Sequence, residues 1–263
     1  IGACIAVVGS VARTRLRETP DFIDMKSKIK KAVEKENITI AQKKKVKTAV
    51  HRLYDKVAFI TLVHYFFIYC GWPFSFYLIY VHFNSFLRQV CQYSAEDVIF
   101  HNFILTIVQV VTFIAWSILT YYVYPLKLLK IKGISSILFI AVMPFFLTGS
   151  TTGTQVFFFQ SLMLTFCLHN FPGEYIFLKQ LPVYKRYTAG GFIYALARGL
   201  TYVVCSFGLV YLTDCFGNYG VWIIGIPTCV VFLWGVKHFE GLEKQKSLYS
   251  AGSCGESFTE TAA

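Results

Sequence analysis

Arg198 is a lone charge in the middle of an apolar run, and Glu174 follows a Pro172-Gly173 pair near the end of another. A cation at bilayer depth costs at least ~2.5 kcal/mol on insertion scales, so Arg198 must face a partner or a water-filled cavity. There it could hold the carboxylate of a solute, or pair with a carbonyl or carboxylate at a helix interface for structural reasons. Glu174 lies where a kink at Pro172-Gly173 could free backbone groups, and it could carry a proton as its exposure alternates. His64 and His82 lie in or at the edge of a third apolar run, where imidazole can titrate near neutral pH, although helix packing is its commoner role there. Gln109, Gln155 and Gln160 could bond a solute or, as such residues more often do, a neighbouring helix. Trp72, Tyr77, Tyr194 and Tyr202 have rings suited to a quaternary ammonium group. In a chain with 18% aromatic residues, packing and a lipid-facing belt are the plainer roles for them.

Other chemistry lacks its residues. The chain contains no H-E-x-x-H, no G-x-S-x-G and no G-x-x-x-x-G-K-[ST], the arrangements that serve metal-assisted hydrolysis, acyl transfer and nucleotide hydrolysis. Its eight cysteines are scattered, without a C-x-x-C pair or a neighbouring His at metal-ligand spacing. An enzyme is not expected, nor a metal or cofactor.

The elements that carry these residues are long apolar blocks. Of 263 residues, 56% are hydrophobic and 15% charged, and mean hydropathy is +0.54, so a water-soluble fold would have too little polar surface to show. A helical crossing takes about 20 residues for about 30 Å of hydrocarbon. Runs near that length are predicted at 57–82, 98–122, 133–149, 154–178, 187–212 and 219–236. They are too long and too uniformly apolar for barrel strands. Residues 1–12 read as the end of a further helix, and the chain starts without Met or signal-peptide features, so additional N-terminal sequence is expected.

Charge orients the bundle. Fourteen of the 25 Lys and Arg residues fall in 13–56, and Lys127, Lys130, Lys132, Lys179, Lys185, Arg186, Lys237, Lys244 and Lys246 fall in connections on the same side. The opposite connections hold Arg88, Glu96, Asp97 and Asp214. By the positive-inside rule the basic side is cytoplasmic. The net charge of +11 therefore suits a cytoplasmic face beside anionic lipid headgroups better than nucleic-acid binding. Val46, Val50, Leu53 and Val57 recur at helical spacing, predicting an interfacial amphipathic helix before the first full span. The predicted organisation is a truncated helix at 1–12, a basic linker at 13–56, a six-helix domain at 57–236, and a polar, disordered cytoplasmic tail at 237–263.

The run Arg13-Thr-Arg-Leu-Arg-Glu-Thr-Pro-Asp-Phe22, leaving a helix for a long basic loop, resembles the central loop of the major facilitator superfamily, metabolite:proton symporter branch, whose familiar members are proline/betaine transporters. Arg13, Leu16, Arg17, Glu18, Thr19, Pro20 and Phe22 fit that pattern. A second run, Leu181-Pro-Val-Tyr-Lys-Arg-Tyr-Thr-Ala-Gly190, looks like the family's F-P-x-x-x-R-x-x-G connection through Pro182, Arg186 and Gly190. The resemblance implies the C-terminal half of a carrier with two six-helix halves, in a bacterial plasma (inner) membrane. It also implies alternating access, a small organic solute and protons as partners, and a missing N-terminal half. Lys179 stands where the family pattern has an acid, and Tyr121 to Lys130 lacks the family's G-x-x-x-D-R-x-G-R-like latch. A non-transporting remnant or membrane interaction module of the same fold is the alternative.

Overall fold

The structure is a computed structural model that describes residues 59–149 and 152–259, together with Ile23 and Ser27. The chain divides into one unit of residues 1–56 with 182–186 and a second of 57–181 with 187–263, which carries the helical bundle. The expectations for 1–12, the linker and its amphipathic helix, and Arg13, Arg17, Glu18 and Pro20, lie outside the described residues.

No strand occurs among the described residues. Helix α1 (Phe59–Phe76) continues through a π-helical segment, Tyr77–His82, into α2 (Phe83–Gln89). Helix α3 (Ala95–Leu119) follows a tight turn and starts at a capping box: Ser94 accepts from the Asp97 backbone N–H at 3.2 Å, and the Ser94 N–H donates to the Asp97 carboxylate at 3.0 Å. Next come α4 (Pro125–Gly149), α5 (Gly153–Thr165), the short α6 (Glu174–Lys179) and α7 (Val183–Val203). A second π segment, Val204–Leu209, leads to α8 (Val210–Phe216), a 3-10 turn at Gly217–Tyr219, and the long α9 (Gly220–Thr259).

Four stretches among the described residues are long and apolar enough to cross a membrane: Phe59–Gln89, Ala95–Leu119, Pro125–Gly149 and Arg186–Gln245. This is the architecture of an α-helical integral membrane protein. The fourth stretch is not straight. A side chain at Gly208 would reach Ile224 Cδ1 at 3.0 Å, whereas residues that far apart in one straight helix would be about 24 Å apart. The chain turns back at Gly217, whose φ of 59° lies in the region that favours glycine. The apolar runs 187–212 and 219–236 lie on either side of this turn.

Two expected spans differ from the observed helices. The run 154–178 is broken: α5 ends at Thr165, and helix resumes only at Glu174. The run 133–149 starts eight residues earlier, at Pro125. Lys127, Lys130 and Lys132 thus belong to the helix and not to a loop. At the other end of the chain, α9 runs through residues expected to form a polar tail.

Helix α1 is central. It opens the stretch Phe59–Gln89, whose apolar segment is 67% buried, against 17% for that of α3, whose Phe100, Phe103, Ile107, Val111 and Ile114 are exposed as lipid-facing residues would be. Its close neighbour is α9, where Gly235 leaves room for Ile68 and for the His64 carbonyl: a Cβ there would meet that oxygen at 3.0 Å.

Candidate functional site

The break between α5 and α6 leaves backbone groups without helical partners inside an apolar bundle, where each unsatisfied group would cost several kcal/mol. Four neighbouring side chains take them up. Trp116 Nε1 donates to the Thr165 carbonyl at 2.8 Å, and Ser136 Oγ to that of Phe166 at 2.7 Å. The Leu168 N–H donates to Ser75 Oγ at 3.2 Å, and Lys132 Nζ to the Phe171 carbonyl at 3.4 Å. Within the break, the Phe171 N–H donates to His169 Nδ1 at 2.9 Å, which places the ring proton on Nε2. Gly71 lets the break approach α1: a Cβ there would stand 2.8 Å from the Leu168 carbonyl oxygen.

Helix resumes at Glu174, and its carboxylate is the centre of a polar cluster. Tyr69 on α1 donates to Oε1, with Tyr65 one turn earlier at 3.3 Å from the same oxygen and 2.9 Å from the Tyr69 hydroxyl. Asn170, inside the break, donates to Oε2. A carboxylate accepts at several sites, and these three neutral donors share it between them. Gly190, a residue of the second sequence motif, adjoins this cluster, since a Cβ there would lie 3.7 Å from the Tyr65 hydroxyl.

Tyr194 on α7 extends the cluster, its ring meeting Tyr69 edge-on with centroids 5.6 Å apart. One turn on, Arg198 donates to the Tyr194 hydroxyl and lies 5.0 Å from that ring's centroid. Tyr202 stands a further turn along the same helix run. Arg198 is thus engaged by an aromatic neighbour on its own helix, through both the hydroxyl and the ring face of Tyr194. Along α1 the aromatic row continues with Trp72, which meets His169 at 4.6 Å, and Phe76, which meets Tyr202 at 6.3 Å.

The other expected site residues lie apart from this cluster. His64 is buried against α9, stacked on His238 with centroids 4.0 Å apart and bonded through Nδ1 to the Ile60 carbonyl at 2.6 Å. Gln160 is fully buried, joining His101 Nε2 at 2.6 Å to the Ile79 carbonyl at 2.9 Å, and so ties α5 to α3 and to the first π segment. Gln155 is exposed on the first turn of α5. Gln109 accepts from Tyr80 at 2.9 Å. Arg186 donates its backbone N–H to the Pro182 carbonyl at 2.8 Å as α7 begins. Trp72, Tyr77, Tyr194 and Tyr202 do not close into one box: Tyr77 lines a separate cavity.

Lys132 is a buried cation that sequence reasoning placed in a loop. It is 1% exposed, its Nζ 4.6 Å from the Trp116 ring centroid as well as near Phe171. Lys130, one turn from the start of α4's apolar part, instead pairs with Glu240 of α9, which Lys244 also approaches at 3.5 Å. Beside that pair, burial and the carboxylates of Glu243 and Glu240 hold the Tyr124 phenol above its usual range.

Comparison with protein-family models, with curated proteins and with solved structures found no match to this chain.

Proposed function

We propose that the chain is the second half of a secondary carrier that moves a small organic solute by alternating access, coupled to protons, with Glu174 as the proton-carrying group and Arg198 as the contact for a solute anion. The observation that carries this reading is the broken helix whose first resumed residue, Glu174, is held by Tyr69, Tyr65 and Asn170. Discontinuous helices with side-chain-satisfied breaks are how carriers build sites for solutes and coupling ions inside the membrane. A carboxylate held by neutral hydroxyl and amide donors can exchange a proton without breaking an ion pair. The resemblance of residues 13–22 and 181–190 to the metabolite:proton symporter branch agrees with this reading.

On this reading the bundle makes six crossings. Phe59–Gln89, Ala95–Leu119 and Pro125–Gly149 supply three, α5 with the break and α6 a fourth, and the legs on either side of Gly217 the last two. The end of a seventh helix precedes them. The membrane is the bacterial plasma membrane, with the linker and C-terminus cytoplasmic.

The test uses the full-length protein in proteoliposomes with an imposed pH gradient. Labelled proline or glycine betaine should accumulate in wild-type vesicles. Glu174→Gln should abolish proton-driven accumulation while leaving solute exchange, and Arg198→Ala should weaken uptake of carboxylate-bearing solutes. No flux of any solute in a broad panel would sink the carrier reading and leave the interaction module.

A further inference from the structure

A cavity of about 320 Å³ lies at the end of the bundle opposite the Lys130 and Glu240 pair, between the first π segment with α2 and the second π segment with α8. Its volume is at the lower end of the roughly 300–1,000 Å³ of small-molecule sites. Tyr77 and His82 of one π segment and Leu209 of the other border it. π-helical turns are sparse in proteins and concentrate at functional sites, and here two of them face the same space.

The lining is rich in acceptors. Ser85 Oγ directs its proton to the Val81 carbonyl at 3.3 Å, and Thr213 Oγ1 directs its own to the carbonyls of Leu209 and Val210 at 2.8 and 2.9 Å. A hydroxyl has one proton and two lone pairs, so both residues keep acceptor capacity for a ligand. Asp214 adds a carboxylate, an acceptor only. His82 Nε2 is enclosed and has no hydrogen-bond partner among the described residues. The lining includes no Lys or Arg among the described residues. The complement of such a surface is a cation with several N–H donors.

We propose that this cavity binds the protonated amine of a small primary-amine solute, with Asp214 as its counter-charge and Ser85 and Thr213 as further acceptors. The Gln89 and Asn218 amides, which both donate and accept, serve the solute's remaining polar atoms. A quaternary ammonium group would fit poorly, because it carries charge without N–H donors. The site is separate from the Glu174 cluster and does not require that cluster to move protons.

The experiment measures equilibrium binding of labelled ethanolamine to the full-length protein in lipid nanodiscs, with choline, its trimethylated counterpart, as competitor. Ethanolamine should bind saturably and choline roughly tenfold or more weakly, the difference a charge-assisted hydrogen bond supports. Asp214→Asn should lose binding by a similar factor, and Asp214→Glu should retain it. Since Asp214 is exposed, neither change threatens the fold. Thr213→Val should weaken binding, and Glu174→Gln should leave it unchanged. Absence of saturable ethanolamine binding, equal binding of choline, or an unchanged Asp214→Asn protein would overturn the proposal. A loss of binding in Glu174→Gln would also overturn it, by assigning the amine to the other site. Failure here leaves the carrier reading to be decided by uptake alone.

Discussion

The Tyr69 hydroxyl donates to Glu174 Oε1, joining the middle of the central helix to the first residue after the helix break. Asn170 donates to the other carboxylate oxygen from within the break. The bonds from both sides position the carboxylate more firmly than its short helix, six residues long, could do alone.

Tyr69→Phe removes the donor to Oε1 and leaves Tyr65 at 3.3 Å as the remaining phenol. Hydrogen bonds to charged groups contribute about 1.5–3 kcal/mol, so the variant should unfold more readily by that order. Chemical unfolding in detergent measures this. Tyr65→Phe, which loses only the longer bond to the carboxylate and a neutral bond to the Tyr69 hydroxyl, should cost less, and the reverse order would contradict the geometry.

Gly71→Ala tests how the break sits on α1. The added Cβ would meet the Leu168 carbonyl oxygen at 2.8 Å and Leu168 Cβ at 2.9 Å, backbone and near-backbone atoms that cannot swing aside. Overpacking of this kind costs about 1–3 kcal/mol. Gly190→Ala meets its neighbours at 3.5 and 3.7 Å, ordinary contacts, and should be close to neutral. Thermal unfolding of the two variants side by side separates them.

Much of the fold was legible because bilayer crossing depends on composition and length, and both can be read along the chain. The break at 166–173 was hidden for the same reason. Phe166, Cys167 and Leu168 are as apolar as any helix interior, and the irregularity is marked only further on, by His169-Asn170 and Pro172-Gly173. Glu174 and Arg198 stood out as charges in apolar runs. Of their partners, Tyr194 was already a candidate ring for an ammonium group, whereas Tyr65 and Tyr69 are two of 17 tyrosines and only helix crossing selects them. Lys132 was misplaced because two nearby lysines resemble a loop, whereas Pro125 at the first helical position starts α4 a full two turns earlier.

Gln160→Leu should be far more costly than Gln155→Ala, although both residues looked alike in sequence. Gln160 satisfies His101 and the Ile79 carbonyl in a fully buried setting. Its loss strands both, at about 1–3 kcal/mol for each unsatisfied group. Gln155 is exposed, and its change should fall within about 0.5 kcal/mol. Comparable destabilisation of the two variants would show that Gln160 does not tie α5 to the π segment.

Lys132→Met asks whether a buried cation stabilises the fold or shapes the break. Burying a lone ammonium costs several kcal/mol of desolvation, which an apolar residue of similar length does not incur, so the protein should stay folded. The Phe171 carbonyl, however, loses its partner, and the contact with Trp116 loses its charge. The segment next to it should open more often, which Cys167 reports because its thiol is 4% exposed in the closed arrangement. Maleimide labelling of the Cys167 peptide, followed by mass spectrometry, should be several-fold faster in Lys132→Met than in the wild type. Ser136→Ala, which frees the Phe166 carbonyl one residue before Cys167, should act in the same direction. Unchanged labelling in both variants would mean that the break is held by packing alone, and that the lysine has no part in positioning it.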